Sequence, residues 1–289
     1  MNKTAPLLPD PMWTRCSDDC CDNFICKPLV ADLDGPLMSS DLQIRDLTVG
    51  FPGRTLFRAP DMDIPAGTIL AVLGANGSGK SSFVKALLGV LSPMSGEVIW
   101  PHQKPHKVAY LAQRTEFDQL FPLRVRDLIA MGKWRGTRFW SRRNWAHSDE
   151  LLDAAERVDL QGVLNEPMHI LSGGQLQRAL FARVIMQDAP FVVLDEPFTA
   201  IDEKTERMLQ ELILEWREQG RTVVLAIHDL SAVLRHCDAA LLLGEGRATF
   251  GAPGEVLTAQ NLIDQGYLSR DRAAWIVDHQ VSLGLQRSA

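Results

Sequence analysis

The chain has 289 residues, 46% of them apolar and 23% charged, enough for a large buried core and without the signature of wholesale disorder. Its 30 basic and 36 acidic side chains give a formal net charge of -6, so it has none of the basic excess that nucleic-acid binders carry, and that class of function is disfavoured. The opening stretch APLLPDPMW is broken by proline, unlike a secretion signal, and no run approaches the roughly 18 apolar residues of a membrane span. The expected location is therefore the cytosol, with any membrane role requiring a partner that spans.

Residues 1–40 are rich in Pro, Asp and Ser without periodicity and read as a flexible leader. Four of the five cysteines, Cys16, Cys20, Cys21 and Cys26, fall inside it at a spacing that fits no standard zinc module. The cluster is either a thiol or metal site or a silent extension, and the silent extension is favoured.

The folded part begins at LQIRDLTVGF, where Leu42, Ile44, Leu47 and Val49 mark strands. TILAVL (residues 68–73) is a short run of buried-strand type, and KSSFVKALLGVL places Phe83, Val84, Leu87 and Leu88 at helical spacing. Between them lies GANGSGKS (residues 74–81), the Gly-x-x-x-x-Gly-Lys-Ser pattern of a phosphate-binding loop in the strand, loop, helix setting that such a loop needs. Gly74, Gly77 and Gly79 let the backbone curl its amides around phosphate oxygens. Lys80 is expected to reach the β- and γ-phosphates, and the Ser81 hydroxyl to coordinate magnesium.

From Gln113 to Leu171 the pattern turns helical, clearest in VRDLIAMGKW and DELLDAAERV, which reads as an inserted helical subdomain over about residues 114–170. LSGGQLQR follows, with Ser172 expected to cap a helix beginning around Gln175 and the amides of Gly173 and Gly174 open to a phosphate. FVVLD and TVVLAI then read as buried strands with the helical stretch EKTERMLQELILEWREQG between them, an alternation that argues for a largely parallel sheet covered by helices. Asp195 and Glu196 stand at the carboxyl end of the first, the edge at which open α/β sheets bind ligands. Asp195 is placed to hold magnesium and Glu196 to polarise the water that attacks the γ-phosphate. GRATFGAPGEVLT closes the folded unit as a short strand and a helix near Val256, and residues 259–289 form an extension without an assigned role.

In this order the motifs resemble those of the nucleotide-binding subunit of an ATP-binding-cassette (ABC) transporter. GANGSGKS resembles the Walker A loop, YLAQ ending at Gln113 the Q-loop, LSGGQ the family signature, FVVLDEP the Walker B strand, AID ending at Asp202 the D-loop, and His228 the switch histidine. The resemblance implies a P-loop α/β fold over residues 41–258, with a mostly parallel core sheet, an antiparallel β subdomain and the helical insertion. ATP and Mg2+ are the implied cofactors. Phe51 is implied to stack on adenine, where the family commonly has tyrosine, and Gly74, Asn76, Gly77, Ser78, Gly79, Lys80, Ser81 and Ser82 to surround the phosphates. Gln113, Ser172, Gly173, Gly174, Gln175 and Asp202 complete the nucleotide site, with Ser81, Gln113 and Asp195 on magnesium and Glu196, His228 and Lys80 in catalysis.

The resemblance further implies two copies arranged head to tail, each ATP held between the Walker A loop of one and LSGGQ of the other. The dimer would sit on integral membrane permease subunits at the inner face of the cell membrane, with a solute-binding protein involved indirectly. FPLRVRDLIAMGKWRG is similar to importers of metals, siderophores and cobalamin, and FTAIDEKT leans toward zinc or manganese. An iron-siderophore, haem or cobalamin importer is the alternative, and a soluble ABC ATPase the third reading. The run KWRGTRFWSRRNW is either a surface for the membrane partner or anionic headgroups, or a solvated loop. His102 and His106 read as part of an ordinary surface hairpin in preference to a metal site.

Overall fold

The computed structural model describes residues 42–100, 108–113, 122–133, 145–199 and 201–268. The cysteine-rich leader, His102 and His106, residues 134–144 of the basic and aromatic run, and the extension from residue 269 onward lie outside the described residues.

The first strand, β1 (Leu42–Phe51), pairs antiparallel with β2 (Arg54–Arg58), β3 (Met62–Ile64) and β5 (Ser95–Ile99). Its buried residues change parity, from Leu42 and Ile44 to Leu47 and Val49, within one continuous strand. Asp46, with φ 45°, lies where the register against β5 slips, so the strand bulges there and returns to the core on the opposite phase.

The core of the sheet is parallel. β4 (Ile69–Gly74) lies between β8 (Thr222–Ala226) and β9 (Ala239–Gly244), and β7 (Phe191–Asp195) joins β8 to β6 (Val108–Leu111). β10 (Gly246–Gly251) folds back antiparallel on β9 and links it to β2, giving the order β3-β1-β2-β10-β9-β4-β8-β7-β6. Every residue of β4, β7 and β8 is buried, as expected of strands covered on both faces.

One face of those strands presents Leu70, Val72, Val193 and Val224 to Phe83 and Val84 of α1 (Lys80–Leu87) and to the apolar residues of β1. The other presents Ala71, Val192, Leu194 and Val223 to α4 (Gly173–Gln187) and α5 (Glu203–Glu218), where Phe181 stacks on Trp216 with centroids 6.1 Å apart. This apolar layer continues into the insertion, where α2 (Val125–Ala130) and α3 (Asp149–Glu156) pack on α4. Among the described residues, the helical expectation there resolves into two short helices and single 3-10 turns. Among the described residues, no helix is long and apolar enough to cross a membrane.

Candidate active site

The carboxyl ends of the parallel strands β4, β6, β7 and β8 bring the glycine loop, Gln113, Asp195 with Glu196, and His228 to one edge of the sheet. β4 runs into the glycine loop at Gly74, where a Cβ would lie 2.2 Å from Ser78 Oγ and 2.5 Å from the Leu243 carbonyl oxygen, so the bare backbone is required. Gly77, with φ 82° and open space around it, turns the loop. Gly79 then starts α1 without a side-chain cap, so the first amides of the helix are free to meet an anion. Asn76 is at the exposed tip of this loop and Ser82 lies in the first turn of α1.

Lys80 is only 7% exposed, and its ammonium donates to the carbonyls of Gly74 at 2.8 Å and Ala75 at 3.2 Å. Burial lowers its pKa, against the opposing pull of Glu196 and Asp195. The ammonium is thus desolvated, held at the loop and satisfied by weak acceptors that a phosphate can replace.

Asp195 ends β7 almost fully buried and accepts a hydrogen bond from the Ser81 hydroxyl. Burial and then the Glu196 charge raise its carboxyl above the ordinary value, and together they outweigh the Ser81 bond and the nearby Lys80 and Lys85. Its Oδ1 is buried with no hydrogen-bond donor. A buried carboxylate oxygen in that state costs roughly 1–3 kcal/mol or more, and a carboxylate beside a hydroxyl is an oxygen set of the kind Mg2+ prefers. The residues therefore fit the ion that the sequence implies.

Glu196 follows with φ 51°, a left-handed conformation that costs a non-glycine residue roughly 1–3 kcal/mol. Its amide donates to the Ala226 carbonyl at 3.0 Å, and its Oε1 lies 3.0 Å from Nε2 of His228, two residues beyond β8. Gln113, two residues beyond β6, also hydrogen-bonds the same carboxylate. Burial would raise the Glu196 pKa, but the bonds from His228 and Gln113, with the charges of His228 and Lys80, hold it below the ordinary value. The carboxylate is thus ionised at neutral pH and fixed in place by two side chains.

The signature residues form a second group. Ser172 Oγ accepts from the Gln175 amide at 3.2 Å while Gln175 Oε1 accepts from the Ser172 amide at 2.9 Å, a reciprocal capping box. The helix accordingly starts at Gly173, two residues earlier than Gln175, because Gln175 closes the box as the third residue of the helix. Asp202 caps α5, accepting from the Thr205 amide and hydroxyl at 2.9 Å each, and these bonds hold its carboxyl below the usual range. A Cβ on Gly174 would approach Asp202 Oδ2 to 3.3 Å, so signature and D-loop residues are neighbours within one chain.

Phe51 sits where β1 turns into β2, 49% exposed. The same hairpin reaches the phosphate loop, since a Cβ on Gly79 would touch the Phe57 ring at 2.9 Å. Two contacts carry no sequence signal. Gln177, buried on α4, donates to the Pro197 carbonyl at 2.6 Å just after the Walker B strand, and the Tyr267 hydroxyl donates to the His228 carbonyl at 2.7 Å.

A glycine loop, an orphaned buried carboxylate and an oriented glutamate at one sheet edge define a P-loop nucleotide hydrolase. Comparison with known proteins specifies the class further. The ABC transporter family model matches residues 57–199. The chain is 34% identical over 205 residues to the manganese transport system ATP-binding protein MntA of Synechocystis sp., covering 69% of this chain and 79% of that one. It is 35% identical over 206 residues to the zinc transport system ATP-binding protein TroB of Treponema pallidum, covering 70% and 77%. Among solved structures, an inward-facing ABC transporter described as of metal-chelate type superposes with TM-score 0.69 at 26% identity, over 79% of this chain and 90% of that one. The chain belongs to the ABC transporter family, whose members bind ATP and hydrolyse it.

The Asp195 geometry carries a prediction of its own. A carboxyl whose native pKa lies above its unfolded value stabilises the fold when protonated, and that contribution is lost as pH rises through the raised native pKa. Asp195→Asn is therefore expected to raise the melting temperature of the nucleotide-free protein at neutral pH by about 2–4 °C for each kcal/mol relieved. The same variant should lose the gain in ATP affinity that Mg2+ confers on the wild type. Thermal melts and ATP titrations with and without Mg2+ check both halves; a lower melting temperature, or an intact Mg2+ effect, contradicts the assignment.

Proposed function

We propose that this chain is the ATP-hydrolysing subunit of an ABC importer of a divalent transition metal, zinc or manganese. The observation that carries the metal reading is the similarity to manganese and zinc transport ATP-binding proteins across about seven-tenths of the chain. The reading of turnover is supported by Glu196 held by His228 and Gln113 beside the phosphate loop.

In this reading the loop amides of residues 74–81 and Lys80 bind the phosphates of ATP, and Phe51 stacks on the adenine. Mg2+ would be held by Ser81, Gln113 and Asp195, where it neutralises phosphate charge. Glu196 accepts a proton from the attacking water, His228 meets the γ-phosphate, and Gln113 reports the state of the site toward the membrane partner. Ser172, Gly173, Gly174, Gln175 and Asp202 serve the ATP of a second copy. ATP then closes a head-to-tail dimer and hydrolysis releases it, a population shift that drives membrane-spanning permease subunits from the inner face of the membrane. A solute-binding protein delivers the metal to those subunits.

The test is metal content in cells lacking this chain, grown under zinc, manganese or iron limitation. A deficit of zinc or manganese, restored by the intact chain, is the expected result. A deficit of iron alone moves the cargo to a chelate, and unchanged contents of all three overturn the metal reading.

A further inference from the structure

The segment after β10 returns to the active-site edge. α7 (Pro253–Val256) and α8 (Ala259–Asp264) bury Val256 and Leu262, and Gln265, 4% exposed, donates to Thr249 Oγ1 at 3.0 Å. A Cβ on Gly244 at the end of β9 would lie 1.9 Å from the Gln265 carbonyl oxygen, so the segment is seated tightly against that strand end. The preceding residue, Leu243, backs the phosphate loop at Gly74. Gly266, with φ 66°, then reverses the chain after α8, its amide bonded to the Ile263 carbonyl at 2.9 Å.

That reversal brings the Tyr267 hydroxyl to 2.7 Å from the backbone carbonyl of His228, a good O–H···O distance. Tyr267 packs against the main core, and its phenol pKa is raised by burial and then by the Asp229 charge, so the hydroxyl is a standing donor. On either side of His228 the backbone is already anchored: the Ile227 amide donates to the Val72 carbonyl at 3.2 Å, and Asp229 caps α6 (Leu230–His236) through the amides of Ser231 and Ala232. Tyr267 supplies the anchor on the histidine itself, whose ring reaches Glu196 at 3.0 Å.

We propose that Tyr267 is a positioning residue for the switch histidine, fixing the peptide of His228 so that its imidazole is aimed at the Glu196 carboxylate and the γ-phosphate. The proposal rests on the reading of His228 as a participant in ATP hydrolysis. It gives the segment 253–268 a part in turnover, and makes the docking of that segment a condition for a fast chemical step.

The test is single-turnover hydrolysis of radiolabelled ATP by the full chain, a measurement that follows slow variants. Tyr267→Phe keeps the packed ring and removes one hydrogen bond, so the rate is expected to fall about 3- to 10-fold with ATP affinity unchanged. In a His228→Ala background the same change is expected to alter the residual rate less than about twofold, because its effect passes through the histidine. A wild-type rate for Tyr267→Phe overturns the proposal, as does an equal fold loss in both backgrounds, which marks a merely structural tie. A wild-type rate for His228→Ala alone removes the role of the histidine and the proposal with it, which separates that failure from the others.

Discussion

Glu196→Gln is expected to lower ATP turnover by about 10²–10³-fold while leaving ATP binding intact. The amide has nearly the shape of the carboxylate and can still meet His228 and Gln113, so the left-handed turn at residue 196 and the loop beside it should persist. What it loses is the ability to accept a proton, and the wild-type carboxylate is prepared for that by neighbours that keep it ionised. With binding retained and hydrolysis stopped, the ATP-closed dimer should accumulate, visible as a doubling of mass in ATP and Mg2+. Steady-state hydrolysis near the wild-type rate would sink the role given to Glu196.

Lys80→Ala is expected to weaken ATP binding by about 10- to 100-fold. A charge-assisted hydrogen bond is worth roughly 1.5–3 kcal/mol, and Lys80 can place such bonds on two phosphates. The net loss is smaller than their sum, because without ATP the ammonium already has the carbonyls of Gly74 and Ala75 as acceptors. ATP thus gains the difference between a phosphate and a carbonyl. Isothermal titration checks the figure, and an affinity unchanged by the substitution would contradict the loop assignment.

Much of this site is legible in the sequence because its chemistry is local. The glycine spacing, the following Lys80 and Ser81, and the two acids after a buried strand each occupy a few consecutive residues, and the strand, loop, helix pattern around them is written in hydrophobic periodicity. The pairing of Glu196 with His228 joins residues 32 apart; in the sequence only the family resemblance put the two in one group.

Where sequence and structure differ, one or two residues decide. The helix after LSGG starts at Gly173 because Gln175 completes the capping box, a choice between two starts two residues apart that composition does not resolve. The parity change in β1 depends on the backbone of Asp46, which no apolar pattern encodes. The contact from Tyr267 to His228 spans 39 residues and depends on a glycine reversal and a packed ring, so nothing in the sequence extension announces it.

The most direct test of the account is the initial rate of zinc and manganese uptake by cells that carry, at equal levels, either the wild-type chain or Glu196→Gln. Uptake of one of the two metals that depends on the wild-type chain and is absent with the variant is the predicted result. Equal uptake with both would contradict the claim that ATP hydrolysis at Glu196 drives metal import.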